Sequence, residues 1–359
     1  MSNIGKIVHD LAPGSENQRN SEGAFITLKD GRILFAYSLY GAGFYDESNA
    51  DIATIISADG GETWSEPKTI LTAETHGTKN IMSVSLLRLG SGEIGIFYLV
   101  KAGLHDLRLV MRRSKDESTT WSEPEFCIKR LGYNVVNNDR VIMLSNGRLI
   151  LPSAHHAVRL QPANDSFPYA VNYFYYSDDD GKTWFENDCA VSLNSPHTKS
   201  GLQEPGILEL TPGTLWCWAR TDMGRQYEYF SRDFGLTWSN PEPSRFTSPC
   251  SPLSMKRIPA TGQLLAVWNP TPNYPTYRID FGKKGDRKRL LCAIGDCNGT
   301  QWSDPVILED DDESGYCYTA IHFTESAVLL AYCAGNDVKD YSILSRLRIR
   351  KIELADLIK

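Results

Sequence analysis

A chain of 359 residues with a formal net charge of −7 and 41% apolar residues is globular in composition, with no basic field to gather nucleic acid or an anionic membrane. No run approaches membrane-spanning length and the start, Met1 to Asp10, lacks the apolar core of a secretion signal, so a cytoplasmic location is expected. Eight scattered cysteines without a C-x-x-C pair fit reduced thiols, not a disulfide or zinc framework; no metal or other cofactor is expected.

Taken in order, Ile4 to Leu11 alternates like a strand and can pair with the last repeat. Apolar runs broken by a turn residue follow at Leu28–Tyr37, Leu87–Tyr98, Met143–Pro152, Leu208–Trp218, Lys256–Trp268 and His322–Tyr332. Each reads as two short strands joined by a tight turn such as Asp30-Gly31 or Asn146-Gly147. After the hairpins comes an octet, S-x-D-x-G-x-T-W, at Ser57–Trp64, Ser114–Trp121, Ser177–Trp184 and Ser231–Trp238. A worn copy spans Gly295 to Trp302, where Cys297 is read at the Asp position. Successive tryptophans lie 54 to 64 residues apart, a period of radial or stacked repeats. Within the octet, Asp accepts backbone N–H groups, Gly supplies a positive φ and Trp plugs the gap to a neighbour. These residue types describe a turn and no chemistry.

Hairpin, third strand, octet and fourth strand make one four-stranded antiparallel blade, and six hairpins predict an all-β, six-bladed β-propeller forming a single domain over 1–359. The C-terminal run Leu344 to Leu354 alternates like an exposed strand. Loops at Leu39–Ala50, Leu160–Tyr169 and Asn269–Arg289 look long enough to build a site.

In such a fold, residues just before each hairpin turn converge on one face. They are polar here: Arg19 to Glu22, Asn80, Asn137 to Arg140, Gln203-Glu204 and Tyr316 to Tyr318. Residues returning to that face after the second strands include Asp46, His105, Asp106, His155, His156 and Arg220. A ring of Arg, Glu, Asp, Tyr and His suits a small anionic molecule.

The octets resemble the Asp-box, or BNR, repeats of the sialidase superfamily over nearly the whole chain. That resemblance implies roles for individual positions. Arg19 takes the place of an arginine that binds the substrate carboxylate, although Gln18-Arg19-Asn20-Ser21 departs from the aromatic-Arg-Ile-Pro motif. Glu204, the stretch Glu209 to Leu215, and Arg220 match the family's Glu, E-L-x-x-G-x-L and following Arg. Arg287, with Arg289 as rival, supplies a third arginine. Tyr318, with Tyr316 as rival, is the family tyrosine.

The chemistry implied is retaining removal of a terminal acidic sugar. Three guanidiniums hold one carboxylate, a neutral tyrosine attacks where an anionic nucleophile is repelled, and Glu204 draws off its proton. Asp46, or Asp51, protonates the leaving oxygen. Glu22, Asn80, His105, Asp139, Arg140 and His155 join Tyr316 as expected substrate contacts. The partner is an acidic oligosaccharide or glycoconjugate, and the oligomeric state stays open.

Plainer readings stand beside these. Arg19 and Glu22 can be an ordinary ion pair, Arg287 a solvated loop residue, and Tyr316 and Tyr318 one core and one pocket side chain. Histidines after strands more often pack than react. Two other functions remain open: a lyase or glycosidase for uronate-containing glycans, and a non-catalytic carbohydrate-binding propeller.

Overall fold

The computed structural model describes residues 4–159, 165–270 and 287–358. Most of the two later loops named above, 160–164 and 271–286, lies outside the described residues. The chain is all-β. Its described helices are a 3₁₀ turn at Ala73–His76 and one turn of α-helix at Leu354–Leu357, too short to cross a membrane.

The strands follow one another in antiparallel groups of four. The first unit is Asn20–Thr27, Ile33–Tyr40, Ala50–Ser57 and Lys68–Leu71. The second is Asn80–Arg88, Ile94–Gly103, Asp106–Ser114 and Glu125–Phe126. The third is Ile142–Met143, Leu149–Arg159, Asp165–Ser177 and Phe185–Glu186. The fourth is Gln203–Thr211, Thr214–Arg220, Arg225–Ser231 and Glu242–Thr247. The fifth is Ser254–Arg257, Leu264–Trp268, Leu290–Gly295 and Val306–Glu309. Cys317–Phe323, Ala327–Cys333 and Leu347–Glu353 begin the last, and Lys6–Leu11 completes it from the other end of the chain.

That N-terminal strand changes one expectation. Leu347–Glu353 is not an exposed edge, because Lys6–Leu11 pairs along it and Leu347, Ile349, Arg350 and Ile352 are buried. Short parallel pairings, Ala50 with Asn80 and Gly132-Tyr133 with Asp106-Leu107, merge the first three units into one 13-stranded sheet. The first unit's leading strand touches those of the second and last units, and the fifth unit's touches those of the fourth and last.

Apolar side chains collect between successive units. Phe25, Phe35, Ala320 and Leu329 form one cluster between the last and first units, and Leu208, Trp218, Met255 and Ala266 another between the fourth and fifth. Strand alternation delivers these residues to the facing sides, and each large side chain so buried stabilises by about 1.5–3 kcal/mol.

Each octet closes on itself. In the first, Asp59 accepts from Thr63 N at 2.9 Å, Thr63 Oγ1 at 2.5 Å and Ser57 Oγ at 2.8 Å, while Gly61 N donates to Ser57 Oγ. Asp116, Asp179 and Asp233 repeat the arrangement. Hydrogen bonds from Thr120 and Thr183 hold the carboxyls of Asp116 and Asp179 down at about 2. The octet glycine has two reasons to be there. Gly61, Gly181 and Gly235 have φ of 89°, 81° and 85°, and a Cβ would strike Leu329, Met111 or Ile150 of the preceding unit.

The fifth turn corrects the reading of Cys297 as the Asp position. Asp296 accepts from Thr300 N at 2.8 Å and from Thr300 Oγ1 at 2.5 Å. The turn carries one extra residue before Trp302, which displaces the spacing without losing the device.

Candidate active site

The leading strands do not run straight onto their shared face. In the first, second, fourth and last units the pairing register shifts once near the start, a β-bulge. At each irregularity, and at the corresponding place in the third unit, one non-glycine residue sits in the left-handed region: Glu22, Ser83, Asp139, Glu204 and Tyr318, with φ between 45° and 61°. Such a backbone costs about 1–3 kcal/mol per residue and persists where the surroundings over-determine it. In the fourth unit the bulge is eased because Pro205 has no N–H to leave unpaired. The bulges turn these side chains out of the sheet alternation. Four of them, Glu22, Ser83, Glu204 and Tyr318, line one cavity of about 230 Å³.

At its centre Tyr318 donates its phenolic hydrogen to Glu204 Oε1 at 2.9 Å. The other oxygen of Glu204 pairs with Arg220 Nη1 at 2.8 Å. The Arg287 guanidinium lies 5.5 Å from the centre of the Tyr318 ring, donating to Cys250 O at 2.9 Å and Cys317 Sγ at 3.2 Å. Burial pushes the Glu204 carboxyl up, but Arg220, Arg287 and the Tyr318 hydroxyl outweigh it and hold the group below the usual carboxylate range. Burial and the charge of Glu204 push Tyr318 well above an ordinary phenol, against Arg287 and Arg220. The resting pair is therefore a neutral phenol on a carboxylate.

Asp46 stands on the 41–49 loop, with its side chain 48% exposed, and lines the same cavity. Two side chains of the second unit tie that loop down. Asn80 donates to Ser48 O at 2.7 Å and Asp46 O at 3.2 Å, and Lys101 Nζ reaches Asp46 O and Glu47 Oε1, each at 3.1 Å. Asn80 thus holds the loop and does not line the cavity. Asp51, the rival acid, instead accepts Ala73 N at 2.8 Å at the start of the 3₁₀ turn.

Several expected contacts lie elsewhere. Arg19 is 1% exposed and its guanidinium is occupied: it pairs with Glu22 at 2.7 Å and Asp46 at 2.6 Å and donates to Ser21 Oγ and Phe44 O. It does not line the cavity, and two carboxylates already meet its charge. Arg140 is buried over the Trp218 ring and donates to Leu253 O at 2.8 Å, joining the third unit to the segment before the fifth. Asp139 pairs with Lys256 at 2.7 Å and accepts Ile321 N at 3.1 Å, a clamp among three units.

The histidines also divide. His105 is exposed at the hairpin tip between Ile94–Gly103 and Asp106–Ser114 and does not line the cavity. His155 is taken by Asn134 Oδ1 at 2.9 Å, while its neighbour His156 faces the cavity, the opposite side of the same strand. Tyr316 is 1% exposed in the apolar cluster between the fifth and last units, its ring edge-on to Tyr332, so of the tyrosine pair only Tyr318 reaches the cavity.

Sequence reasoning missed Met82, Ser83, Tyr133 and Val135 as lining residues among those described, whereas Asn137, Gln203 and His156, read as polar residues of that face, do line the cavity. The bulges themselves carried a faint signal in Glu22-Gly23 and Glu204-Pro205-Gly206. No cluster of three metal-ligating side chains occurs among the described residues.

A family model described as a BNR repeat-like domain matches residues 36–329. The chain belongs to this family, within the sialidase superfamily. A sialidase of Bacteroides fragilis (strain YCH46) is 23% identical over 371 residues, covering 93% of this chain and 62% of that protein. The BNR repeat-like chain therefore spans less than two thirds of that relative's length. Among solved structures, the Hadza microbial sialidase Hz136 superposes with a TM-score of 0.73 at 17% identity, over 96% of this chain and 67% of that one. A protein of unknown function from Dyadobacter fermentans DSM 18053 gives 0.73 at 17% over 97% and 99%. The intramolecular trans-sialidase from Ruminococcus gnavus gives 0.70 at 15% over 99% of each. At these identities the likeness to the solved structures is one of fold.

Proposed function

We propose that this chain is a single-domain, six-bladed propeller acting as a retaining, exo-acting glycoside hydrolase of the sialidase type on a terminal acidic sugar. The observation that carries the reading is the Tyr318 hydroxyl on Glu204 Oε1 at 2.9 Å, with Arg220 on the other carboxylate oxygen. A phenol is a poor nucleophile until its proton leaves, and Glu204 is placed to take it. As the proton moves, Arg220 and Arg287 stabilise the phenolate that attacks the anomeric carbon. The glycosidic bond breaks as Asp46 donates a proton to the leaving oxygen. Water then cleaves the sugar–tyrosine bond with Asp46 as base, and configuration is retained.

Because Arg19 is paired with Glu22 and Asp46 and does not line the cavity, the substrate carboxylate is met by Arg220, with Arg287 beside Tyr318, and not by three guanidiniums.

Tyr318→Phe tests the reading. With aryl glycosides of sialic acid, related keto-acids and uronic acids, it is expected to lower kcat by at least about 10³-fold while calorimetric affinity for the free sugar changes little. Turnover by that variant at the parent rate removes the tyrosine mechanism. Ultraviolet absorption by an unsaturated product would replace hydrolysis with elimination.

A further inference from the structure

The mechanism leaves one cavity carboxylate unused. Glu22 occupies in the first unit the left-handed bulge position that Glu204 occupies in the fourth and Tyr318 in the last, and it lines the same cavity. It is 5% exposed. One of its oxygens pairs with Arg19 at 2.7 Å, and the other accepts Ser83 Oγ, which comes from the equivalent bulge of the second unit. Each carboxylate oxygen can accept two hydrogen bonds, so this pairing leaves acceptor capacity on both. The Ser83 hydroxyl keeps its own lone pairs. Asp46, on the far side of Arg19, adds a second carboxylate to the same wall.

Arg220 supplies the accessible cation beside Glu204, while another part of the lining forms a pole of Glu22, Ser83 and Asp46 around a guanidinium already engaged by four acceptors. An anionic substituent brought to that pole meets two carboxylates and an Arg19 guanidinium they already engage, and like charges in a poorly solvated site repel strongly. A hydroxyl or ammonium group there finds acceptor capacity on Glu22 and Ser83. A site built to accept a hydrogen bond discriminates against an analogue that lacks the donor, because its buried acceptors are left unpaired.

We propose that Glu22 and Ser83 form a specificity pole that accepts hydrogen bonds from a hydroxyl or ammonium substituent of the bound sugar and confines the sugar's anionic group to the Arg220 side. This rests on the reading of the cavity as a sugar site, but not on the tyrosine mechanism.

The test is a cycle of enzyme variants against substrate analogues. Aryl glycosides of sialic acid, glucuronic acid and glucose are first ranked by kcat/KM on the unaltered protein. The best of them is then compared with its single-position deoxy analogues on the parent, Ser83→Ala and Glu22→Gln proteins, each checked by thermal melting. On the parent, one deoxy analogue is expected to lose tenfold or more in kcat/KM. On Ser83→Ala and Glu22→Gln, the intact sugar loses a similar factor and that same analogue loses little further. Full retention of the penalty in both variants, or equal treatment of all analogues by the parent, overturns the proposal. Preference for the glucoside removes the acidic-sugar reading while leaving the pole testable on glucose analogues. Absence of binding and turnover across the panel removes both.

Discussion

The octet turns and the cavity are built from the same residue types to opposite ends. In the turns, Asp233 is satisfied by Ser231 and Thr237, within four residues of itself. In the cavity, Tyr318 meets Glu204 from 114 positions away and Ser83 meets Glu22 from 61. A carboxylate satisfied by its own turn is inert, with its proton affinity lowered and nothing left to do. A carboxylate satisfied by distant, separately held partners is poised, since its protonation state depends on groups that a ligand also touches.

Breaking the contrast hardest means neutralising the poised carboxylate. Glu204→Gln keeps the shape and removes the proposed base, and is expected to lower kcat about 10²–10⁴-fold with little change in melting temperature, measured on the same aryl glycosides. A comparable loss of stability instead would make Glu204 a structural residue like the octet aspartates.

A smaller effect sharpens the electrostatic side. Glu204 is held below the usual carboxylate range because Arg220 and Arg287 outweigh its burial. Arg220→Gln removes the larger of these opposing charges, so burial prevails and the carboxyl rises. The base then stays protonated to higher pH, and the acid limb of the kcat/KM profile should move upward, with KM raised tenfold or more for an acidic sugar. An unmoved limb would show that Arg220 does not govern Glu204.

In the turns the expected effects are on stability alone. Asp233→Ala removes the acceptor for Thr237 N, Thr237 Oγ1 and Ser231 Oγ, and should cost about 1–2 kcal/mol, roughly 1–3 °C in melting temperature, with kcat/KM unaltered. The least effect belongs to His105→Ala. Exposed at a hairpin tip, it should change kcat/KM by less than about twofold. A larger loss would return His105 to the substrate contacts from which its position removes it.

The boundary of legibility runs along the same line. The octets, the hairpins and the pairing of Ile4–Leu11 with the last strand could be read because each depends on neighbours in sequence or on plain alternation. The one slip in the turns, Cys297 for Asp296, came from a single inserted residue that shifts spacing without changing the hydrogen bonds. In the cavity, the choice of Tyr318 over Tyr316 and of His156 over His155 turned on bulges and strand facing, and a one-residue difference reverses which side chain looks inward. Arg19 was misplaced for a related reason: its position was right, but Glu22 and Asp46 had already claimed its donors.

Alone, the sequence determined an all-β repeat chain, its turns, and a set of charged and phenolic residues at recurring places, because local periodicity and turn chemistry act over a few residues. Only the tertiary structure decided which of those residues share a cavity and which are spent on one another. Those outcomes depend on backbone kinks of a single residue and on competition among partners dozens of positions apart, and neither leaves a pattern that spacing can show.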